Sequence, residues 1–308
     1  MFYRLFFLLF LVATPIWALA QVPINGDEPG GAPGDVAGFQ IWSANDMYYI
    51  PLKTDKYYSA GMGAIYTRYQ NKERKGERVR AERGWGIRQD IFTPRNIENP
   101  SLLLRDRPFA SYSVLEHHRA TELSQGWSLR QRYSVGVLGK YSGGAEAQNA
   151  VHRMVNFAEE LDGWKNQVES DLVLNYRLQL TKRMSLSDRF WLLASGAAQV
   201  GTLHTDAGLR FGGHFSIVDH SPTKYLKFSA TGEARYVAYN ATLTGGLLNR
   251  DDRYRGVVQT QRWVRRTEAK FEARYNWLGG QVGINYLSKE FRDGGNHVFV
   301  VAGLGVYW

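Results

Sequence analysis

Residues 266–277 read RTEAKFEARYNW, and the polarity of this stretch alternates at every position. The odd-numbered positions hold Thr, Ala, Phe, Ala, Tyr and Trp, whereas every even-numbered position carries a charged or amide side chain. Successive side chains of a β-strand point to opposite faces, so this period of two predicts a strand with one apolar face and one charged face. Residues 226–239 repeat the pattern.

The same alternation recurs along the chain in about twelve segments. Most of them reach the ~9–11 residues that a tilted strand needs to cross a bilayer, and only a closed barrel satisfies the backbone of strands in lipid. The sequence therefore predicts an all-β fold, a closed antiparallel transmembrane β-barrel of about 12 strands, with a secreted β-sandwich as the alternative. The predicted strands are 37–49, 57–70, 79–93, 108–121, 126–139, 167–181, 188–200, 206–218, 225–240, 261–277, 280–290 and 296–308.

Both ends of the chain agree with this fold. At the C-terminus an apolar face runs from Val298 to the final Trp308, which is typical of the last strand of a bacterial outer-membrane barrel. At the N-terminus, residues 1–20 combine a basic residue, an apolar run and a small-x-small ending, which predicts a signal peptide. Residues 21–36 are rich in Gly, Pro and Asp and are expected to form a flexible leader before a barrel domain at 37–308.

Composition excludes several other classes. The chain of 308 residues has no cysteine, so it holds no disulfide scaffold, Cys-ligated zinc site or thiolate nucleophile. After the N-terminal segment no apolar run reaches the ~18 residues of a spanning helix. The formal charge of +9 suits an anionic partner, although alternation such as that of 266–277 places much of the charge in the barrel lumen. Nucleic acid is not an expected partner, because no groove-reading motif is present.

Strand counting places the long connections on one side. If the N-terminus is periplasmic, the connections after odd-numbered strands are extracellular, and those include the three long ones at 94–107, 140–166 and 241–260. Residues 145–161 in the second of these predict a short α-helix with an apolar stripe that rests on the barrel rim. Gln148 and His152 share a face beside that stripe, because they are four residues apart. The stripe comprises Val151, Met154, Val155 and Ala158.

Candidate functional residues gather on that same side. They are polar side chains at the ends of strands or on the loop helix: Asn45, Asp46, Ser59, Arg107, Gln148 and His152. Each has a simpler interpretation, since an Asn-Asp pair is an ordinary turn signal and a plug helix can carry an incidental histidine.

Several motifs in order make the chain similar to a known family. They are Asn45-Asp46, residues 54–61 (TDKYYSAG), 90–94 (DIFTP), 106–110 (DRPFA), 143–153 (GGAEAQNAVHR), Gly163-Trp164, Asn240-x-x-Leu-x-Gly and Ser288-x-Glu290-Phe291. Over nearly the whole mature chain the sequence resembles the outer-membrane lipid A 3′-O-deacylase family (LpxR), whose fold is a twelve-stranded barrel.

The resemblance implies a Ca²⁺-dependent esterase likened in mechanism to secreted phospholipase A2. His152 would be the general base that activates water, since histidine titrates near neutral pH. Asp46 would bind Ca²⁺, which prefers oxygen ligands, and the metal would stabilise the oxyanion. Asn45 would shape the metal site, and Gln148 would orient the substrate or water. Ser59 stands where the family usually has Thr and would serve as a hydrogen-bond partner, not as a nucleophile.

Two positions depart from the family pattern. The family has a lysine that contacts the substrate in its second extracellular loop, which corresponds to residues 94–107 here. This lysine has no clear counterpart, and Arg95, Arg105 or Arg107 is expected to bind a lipid phosphate in its place. The acidic residue after the helix falls near Glu159 or Glu160, one position out of register, so we leave it out of the metal set.

The functional prediction is an outer-membrane lipid A deacylase with its site at the extracellular face. Its partners are lipid A or lipopolysaccharide as substrate and the outer membrane; the oligomeric state is left open. Two alternatives remain: an outer-membrane phospholipase, and a non-catalytic barrel such as a pore or adhesin.

Overall fold

The computed structural model describes residues 36–49, 56–74, 77–97, 105–155, 161–249 and 253–308. The predicted signal peptide, and all of the predicted leader except Val36, lie outside these residues. Val36 itself is the first residue of a strand rather than part of the leader.

The described residues form twelve antiparallel strands that close into a barrel, each paired with its neighbours in sequence and the first paired with the last. The predicted fold class is therefore confirmed. The strands are β1 (Val36–Asn45), β2 (Tyr57–Arg74), β3 (Glu77–Thr93), β4 (Ala110–Glu122), β5 (Trp127–Leu138), β6 (Asp171–Ser187), β7 (Phe190–Gly201), β8 (His204–Ser221), β9 (Lys224–Asn240), β10 (Trp263–Tyr275), β11 (Leu278–Leu287) and β12 (His297–Tyr307).

The two ends of the barrel differ. At the end where Ala37 and Trp308 exchange backbone hydrogen bonds of 2.8 and 2.9 Å, the strands are joined by tight turns; we call this the terminal end. The opposite end, the loop end, carries the long connections after β3, β5 and β9. Two α-helices lie in these connections: α1 (Gly144–Val155) after β5 and α2 (Ala241–Thr244) after β9. No helix among the described residues is both long and apolar enough to cross a membrane.

The alternation seen in 266–277 separates the outer wall from the lumen. In β10, Phe271 is 46% exposed on the outer wall, whereas Glu268 and Lys270 are each 6% exposed in the lumen. Many of the lumenal charges form ion pairs, as burial of a lone charge is costly. Arg130, for example, binds Glu82 with two hydrogen bonds of 2.9 and 3.0 Å.

The lumen is filled by apolar side chains at the loop end. The residues nearest the loop end of each strand turn inward here, and the short helix α2 is buried among them. We call this group the apolar cluster. Its members include Ala44, Tyr58, Phe92, Tyr112, Val114, Leu138, Val173, Leu203, Val237, Ala241, Leu243, Tyr254, Val264, Leu287, Phe291, Phe299 and Val301.

Helix α1 differs from the prediction at its C-terminal end. The sequence predicts a helix over 145–161, and the structure has one over Gly144–Val155. Residues 156–160 lie outside the described part of the chain, and Leu161 is extended and precedes a separate 3₁₀ turn at Asp162–Asn166. The predicted end at 161 is therefore too late, because Gly163 and the packing of Trp164 begin a new turn there.

Candidate functional site on the outer wall

Four neighbouring strands present one row of side chains on the outer wall near the loop end. The strand registers pair Asn45 with Ala60, Ala60 with Ile91, and Ile91 with Ser111. Residues flanking this row, such as Ala44, point into the lumen, so the row itself faces outward. We call these four residues the wall row.

A bulge brings Ser59 into the site beside this row. The register of β2 against β3 shifts between Tyr58 and Ala60, which leaves Ser59 as the extra residue. Bulges bend a strand and re-aim side chains, and are frequent near active sites. Ser59 is 2% exposed, and its hydroxyl forms a short hydrogen bond with the hydroxyl of Thr93, itself fully buried.

The lumenal side behind the wall row is held by one carboxylate. Asp90 accepts a hydrogen bond of 2.8 Å from the Tyr58 hydroxyl, one of 2.8 Å from Arg88 Nε, and a short one from the Tyr112 hydroxyl. These donors lie on β2, β3 and β4. A fully satisfied buried polar network of this kind rigidifies the strands that carry the wall row.

Helix α1 lies on the outer wall over β3 and β4. The chain enters it through Gly143, whose φ of 74° is a left-handed conformation that favours glycine. Gly144 then sits directly against Ser111, where a Cβ would collide with the serine side chain. Ala145 and Ala147 continue the contact, packing against a small apolar group that comprises Ile91, Phe109, Leu161 and Trp164. Small residues on the contact face let the helix approach the wall closely.

The wall-facing side of α1 carries Gln148 and His152. Gly144, Gln148 and His152 are spaced by four residues and therefore share one helix face. Gln148 is 6% exposed and His152 is 3% exposed, so both side chains lie between the helix and the barrel. The indole N–H of Trp164 donates to Gln148 Oε1 across 3.0 Å, and the Trp164 ring packs on Phe109 with centroids 5.1 Å apart.

The predicted contact face of this helix is wrong at Val151. The sequence assigns the contact with the rim to the stripe that begins at Val151, but Val151 is 43% exposed and faces away. The small residues at 144, 145 and 147 make the closer contact, so the helix turns its polar Gln148 and His152 inward instead. The side chains of Met154 and Val155, and all of Ala158, lie outside the described part of the structure.

Asn45 and Asp46 lie where β1 ends. Asp46 is 1% exposed, and its Oδ2 accepts a hydrogen bond of 2.8 Å from the backbone N–H of Lys56. Asn45 Oδ1 accepts one of 2.7 Å from the backbone N–H of Met47. These are the turn contacts expected of an Asn-Asp pair. They also fix one side-chain oxygen of Asn45, which belongs to the wall row, and one of Asp46 next to it.

The donor chemistry at this position suits a hard cation. Asn45 offers an amide oxygen and Asp46 a carboxylate, and oxygen is the ligand type that Ca²⁺ takes. Among the residues that the structure describes, no cluster of three or more His, Cys, Asp or Glu side chains is arranged to hold a metal. A Ca²⁺ ion here would thus draw on one carboxylate together with amide, backbone or water oxygens.

Arg107 has a different position from the one predicted. It is fully buried, donates to Glu290 Oε2 across 3.1 Å and to Thr242 Oγ1 across 3.0 Å, and stacks over the ring of Phe92. Burial lowers the pKa of Arg107, and the carboxylate of Glu290 opposes that shift. This position does not fit the predicted contact between Arg107 and a lipid phosphate. The guanidinium group of Arg107 joins three loops and is closed to solvent.

Arg95 and Arg105 are the basic residues of the second loop that remain exposed. Arg95 donates to the Tyr57 hydroxyl across 2.9 Å, and its backbone N–H donates to Asp106 Oδ2 across 2.8 Å. The hydrogen bond with Tyr57 raises the pKa of Arg95, so the side chain stays cationic. Both residues can therefore meet an anionic group at the loop end.

Sequence reasoning missed several residues of this site. Trp164, Thr93, Ser111 and Gly144 all contact predicted site residues or the helix that carries them. Trp164 and Thr93 were visible as parts of the quoted motifs, but no spacing rule links Trp164 to Gln148 across the end of a helix.

Of three comparisons with known proteins, two find similar proteins and one finds none. The sequence profile of a family described as "Outer membrane protein LpxR" matches residues 5–308. Curated protein sequences give no significant match. Among solved structures, LpxR from Salmonella typhimurium is similar with a TM-score of 0.73 and 19% identity, covering 88% of this chain and 100% of that one. The beta domain of the Bordetella autotransporter Brka is similar at a TM-score of 0.49 and 11% identity, covering 90% of this chain and 100% of that one.

Proposed function

Since this chain belongs to the LpxR family of outer-membrane proteins, we propose that it hydrolyses the ester of the 3′-linked acyl chain, or chains, of lipid A. Water would add to the ester carbonyl, the sugar would keep its hydroxyl group, and the fatty acid would leave. The loop end of the barrel would then be extracellular, facing the leaflet that holds lipopolysaccharide.

One observation supports this function above the others: a buried histidine lies under a helix on the outer wall. His152 is 3% exposed between α1 and the strands that carry the wall row. A substrate in the outer leaflet reaches the outer wall laterally without entering the lumen. Exposed apolar side chains next to the site, including Val151 and Ile87, are suited to contact with acyl chains.

The roles that we propose follow from the chemistry of each side chain. His152 takes a proton from the attacking water, a task that contributes typically 10²–10⁴-fold to a rate. Gln148 has its amide oxygen fixed by Trp164, so its N–H₂ group is the part that can donate toward a substrate oxygen. The Ser59–Thr93 hydroxyl pair positions the bulge next to Asn45, and is assigned no nucleophilic step.

We propose Asp46 and Asn45 as the residues that would hold Ca²⁺. When bound, Ca²⁺ polarises an ester carbonyl and stabilises the negative charge that develops on it. Arg95 and Arg105, both exposed on the second loop, are proposed to bind the phosphate of lipid A in place of the lysine that the family has there.

The two alternatives make different demands on the barrel. A passive pore needs an open lumen, whereas the apolar cluster and α2 occupy the loop end of this one. An outer-membrane phospholipase would share the outer-wall location, so the products distinguish it from a lipid A deacylase.

The test is mass spectrometry of lipid A and phospholipids from a lipopolysaccharide-bearing host that expresses the protein. Wild type, His152→Ala and a control, His220→Ala, are compared with Ca²⁺ and with a chelator. His220 is exposed on β8 near the terminal end, far from the wall row. We expect loss of the 3′-linked acyl group in wild type and His220→Ala with Ca²⁺, and intact lipid A in His152→Ala.

Two results would contradict the proposal. Full deacylation by a folded His152→Ala protein would exclude His152 as the base. Intact lipid A together with cleaved phospholipid in wild type would establish the phospholipase alternative.

A further inference from the structure

The lumen contains a second polar site, separate from the outer wall. Below the apolar cluster, towards the middle of the barrel, lies a cavity of about 220 Å³. We call it the arginine cavity, since its lining includes six arginines from six strands, Arg88, Arg132, Arg177, Arg210, Arg235 and Arg266. Tyr112, Val114 and Leu203 of the apolar cluster line it as well, so the cluster separates it from the loop end.

The charges around this cavity do not balance. Three glutamates line it, Glu116, Glu233 and Glu268, and two aspartates contact its arginines from behind, Asp90 with Arg88 and Asp206 with Arg177. Among the described residues, six guanidinium groups thus meet five carboxylates, which is an excess of one positive charge. An uncompensated charge in a low-dielectric interior is expensive, so a bound anion would stabilise this arrangement.

The cations also face the space more than the carboxylates do. The arginine side chains keep 12–29% of their surface accessible, and the three glutamates keep 7–15%. With six arginines against three glutamates in the lining, arginine side chains supply most of the charged surface that borders the cavity.

Three of the ion pairs at the cavity are longer than the pair between Arg130 and Glu82, which lies outside its lining. Arg132–Glu116, Arg177–Glu233 and Arg235–Glu233 span 3.8, 3.9 and 3.6 Å, compared with 2.9 Å for Arg130–Glu82 outside the lining. Arg235 Nε is buried and has no hydrogen-bond partner among the described residues. Each of the three pairs exceeds hydrogen-bond distance, so these carboxylates do not take up the N–H groups that face them at those contacts.

We propose that the arginine cavity binds a small tetrahedral oxyanion of the inorganic phosphate or sulfate class. The planar fork of arginine matches such an anion with paired, charge-assisted hydrogen bonds, which a spherical halide does not accept in the same way. Dihydrogen phosphate carries the single negative charge that matches the excess, and the doubly charged members of the class exceed it by one. The site lies inside the barrel and is independent of the ester hydrolysis proposed for the outer wall.

The test is calorimetric titration of the full chain, folded in detergent, with sodium phosphate in a chloride buffer of constant ionic strength. We expect saturable binding of one phosphate per barrel and competition by sulfate. Arg235→Gln removes one guanidinium from the lining and is expected to weaken phosphate binding about tenfold. Arg274→Gln is the matched control, since Arg274 stacks on Tyr307 outside the cavity and should bind phosphate as wild type does.

A second variant keeps the test decisive if Arg235→Gln fails to fold. Ala197 lines the cavity, and Ala197→Leu fills space there without changing any charge; we expect it to abolish phosphate binding. The proposal is overturned if wild type gives no saturable heat or if chloride competes as strongly as sulfate. It is also overturned if folded Arg235→Gln or Ala197→Leu binds phosphate like wild type, which would place the anion elsewhere, such as at the outer wall.

Discussion

The indole N–H of Trp164 lies 3.0 Å from Gln148 Oε1 and donates a hydrogen bond to it. An indole can only donate, so this contact turns the amide oxygen of Gln148 toward Trp164 and its N–H₂ group away from Trp164. Trp164 is in turn held by the ring of Phe109. A residue after the helix therefore orients a residue on the helix, and Trp164 is a positioning residue for the proposed hydrolysis.

Trp164→Phe tests this relationship. The variant keeps an aromatic ring against Phe109 but removes the donor, so Gln148 loses its fixed orientation. We expect deacylation to fall about tenfold in kcat with little change in KM, and thermal stability to fall by about 1 kcal/mol, the usual net value of one hydrogen bond. Kinetics on detergent-solubilised substrate and thermal unfolding measure the two effects. An unchanged kcat would show that Trp164 only packs.

Gly144→Ala tests whether close docking of α1 matters. A Cβ at this position would collide with the side chain of Ser111, so the first turn of α1 must lift from the outer wall. Gln148 and His152 follow on the same helix face, and we expect deacylation to drop at least tenfold while the barrel still folds.

The control for this variant is Glu146→Ala, which changes an exposed residue of the same helix. Resistance to unfolding in unheated SDS gels reports the barrel, and limited proteolysis in the loop after β5 reports the helix. Wild-type activity in Gly144→Ala would mean that deacylation does not depend on how closely α1 contacts the outer wall.

Arg107→Gln separates a structural role from substrate binding. The variant leaves the partly buried Glu290 without its cation and removes the bond to Thr242, and breaking a fully buried ion pair costs about 3–5 kcal/mol. We therefore expect a large loss of stability in urea unfolding, with partial recovery in the double variant Arg107→Gln/Glu290→Gln. A raised KM with unchanged stability would instead restore the predicted phosphate contact.

The fold was predictable because its signal is local. Alternation such as that of 266–277 sets the two faces of a strand, and the strand order then follows from short connections between neighbours. The site was only partly predictable. Residues 148 and 152 could be placed on one helix face from their spacing, but the face that contacts the wall depends on Gly144 fitting against Ser111, which lies 33 positions earlier in the chain.

Arg107 shows that prediction from the sequence has the same limit for charged residues. Its sequence neighbours suggest an exposed loop, and its partners Glu290 and Thr242 come from two other connections. Both partners stand in motifs on which the family resemblance rests, and in the structure these motifs meet in a buried contact. A sequence motif alone does not distinguish such a structural contact from a substrate contact.

Asp46→Asn tests the proposed Ca²⁺ site without removing the turn contact. The amide oxygen of Asn can still accept the hydrogen bond from the Lys56 N–H, so we expect the barrel to fold and unfold as wild type does. The lost negative charge should raise the Ca²⁺ concentration for half-maximal deacylation by at least tenfold, since Ca²⁺ affinity depends on ligand charge. Asp106→Asn is the matched control, because the Asp106 carboxylate accepts backbone hydrogen bonds from Arg95 and Arg107 in the connection after β3. Equilibrium binding of radioactive Ca²⁺ to the purified barrel measures the site directly, and equal binding by wild type and Asp46→Asn would remove Asp46 from the metal site whatever the activity shows.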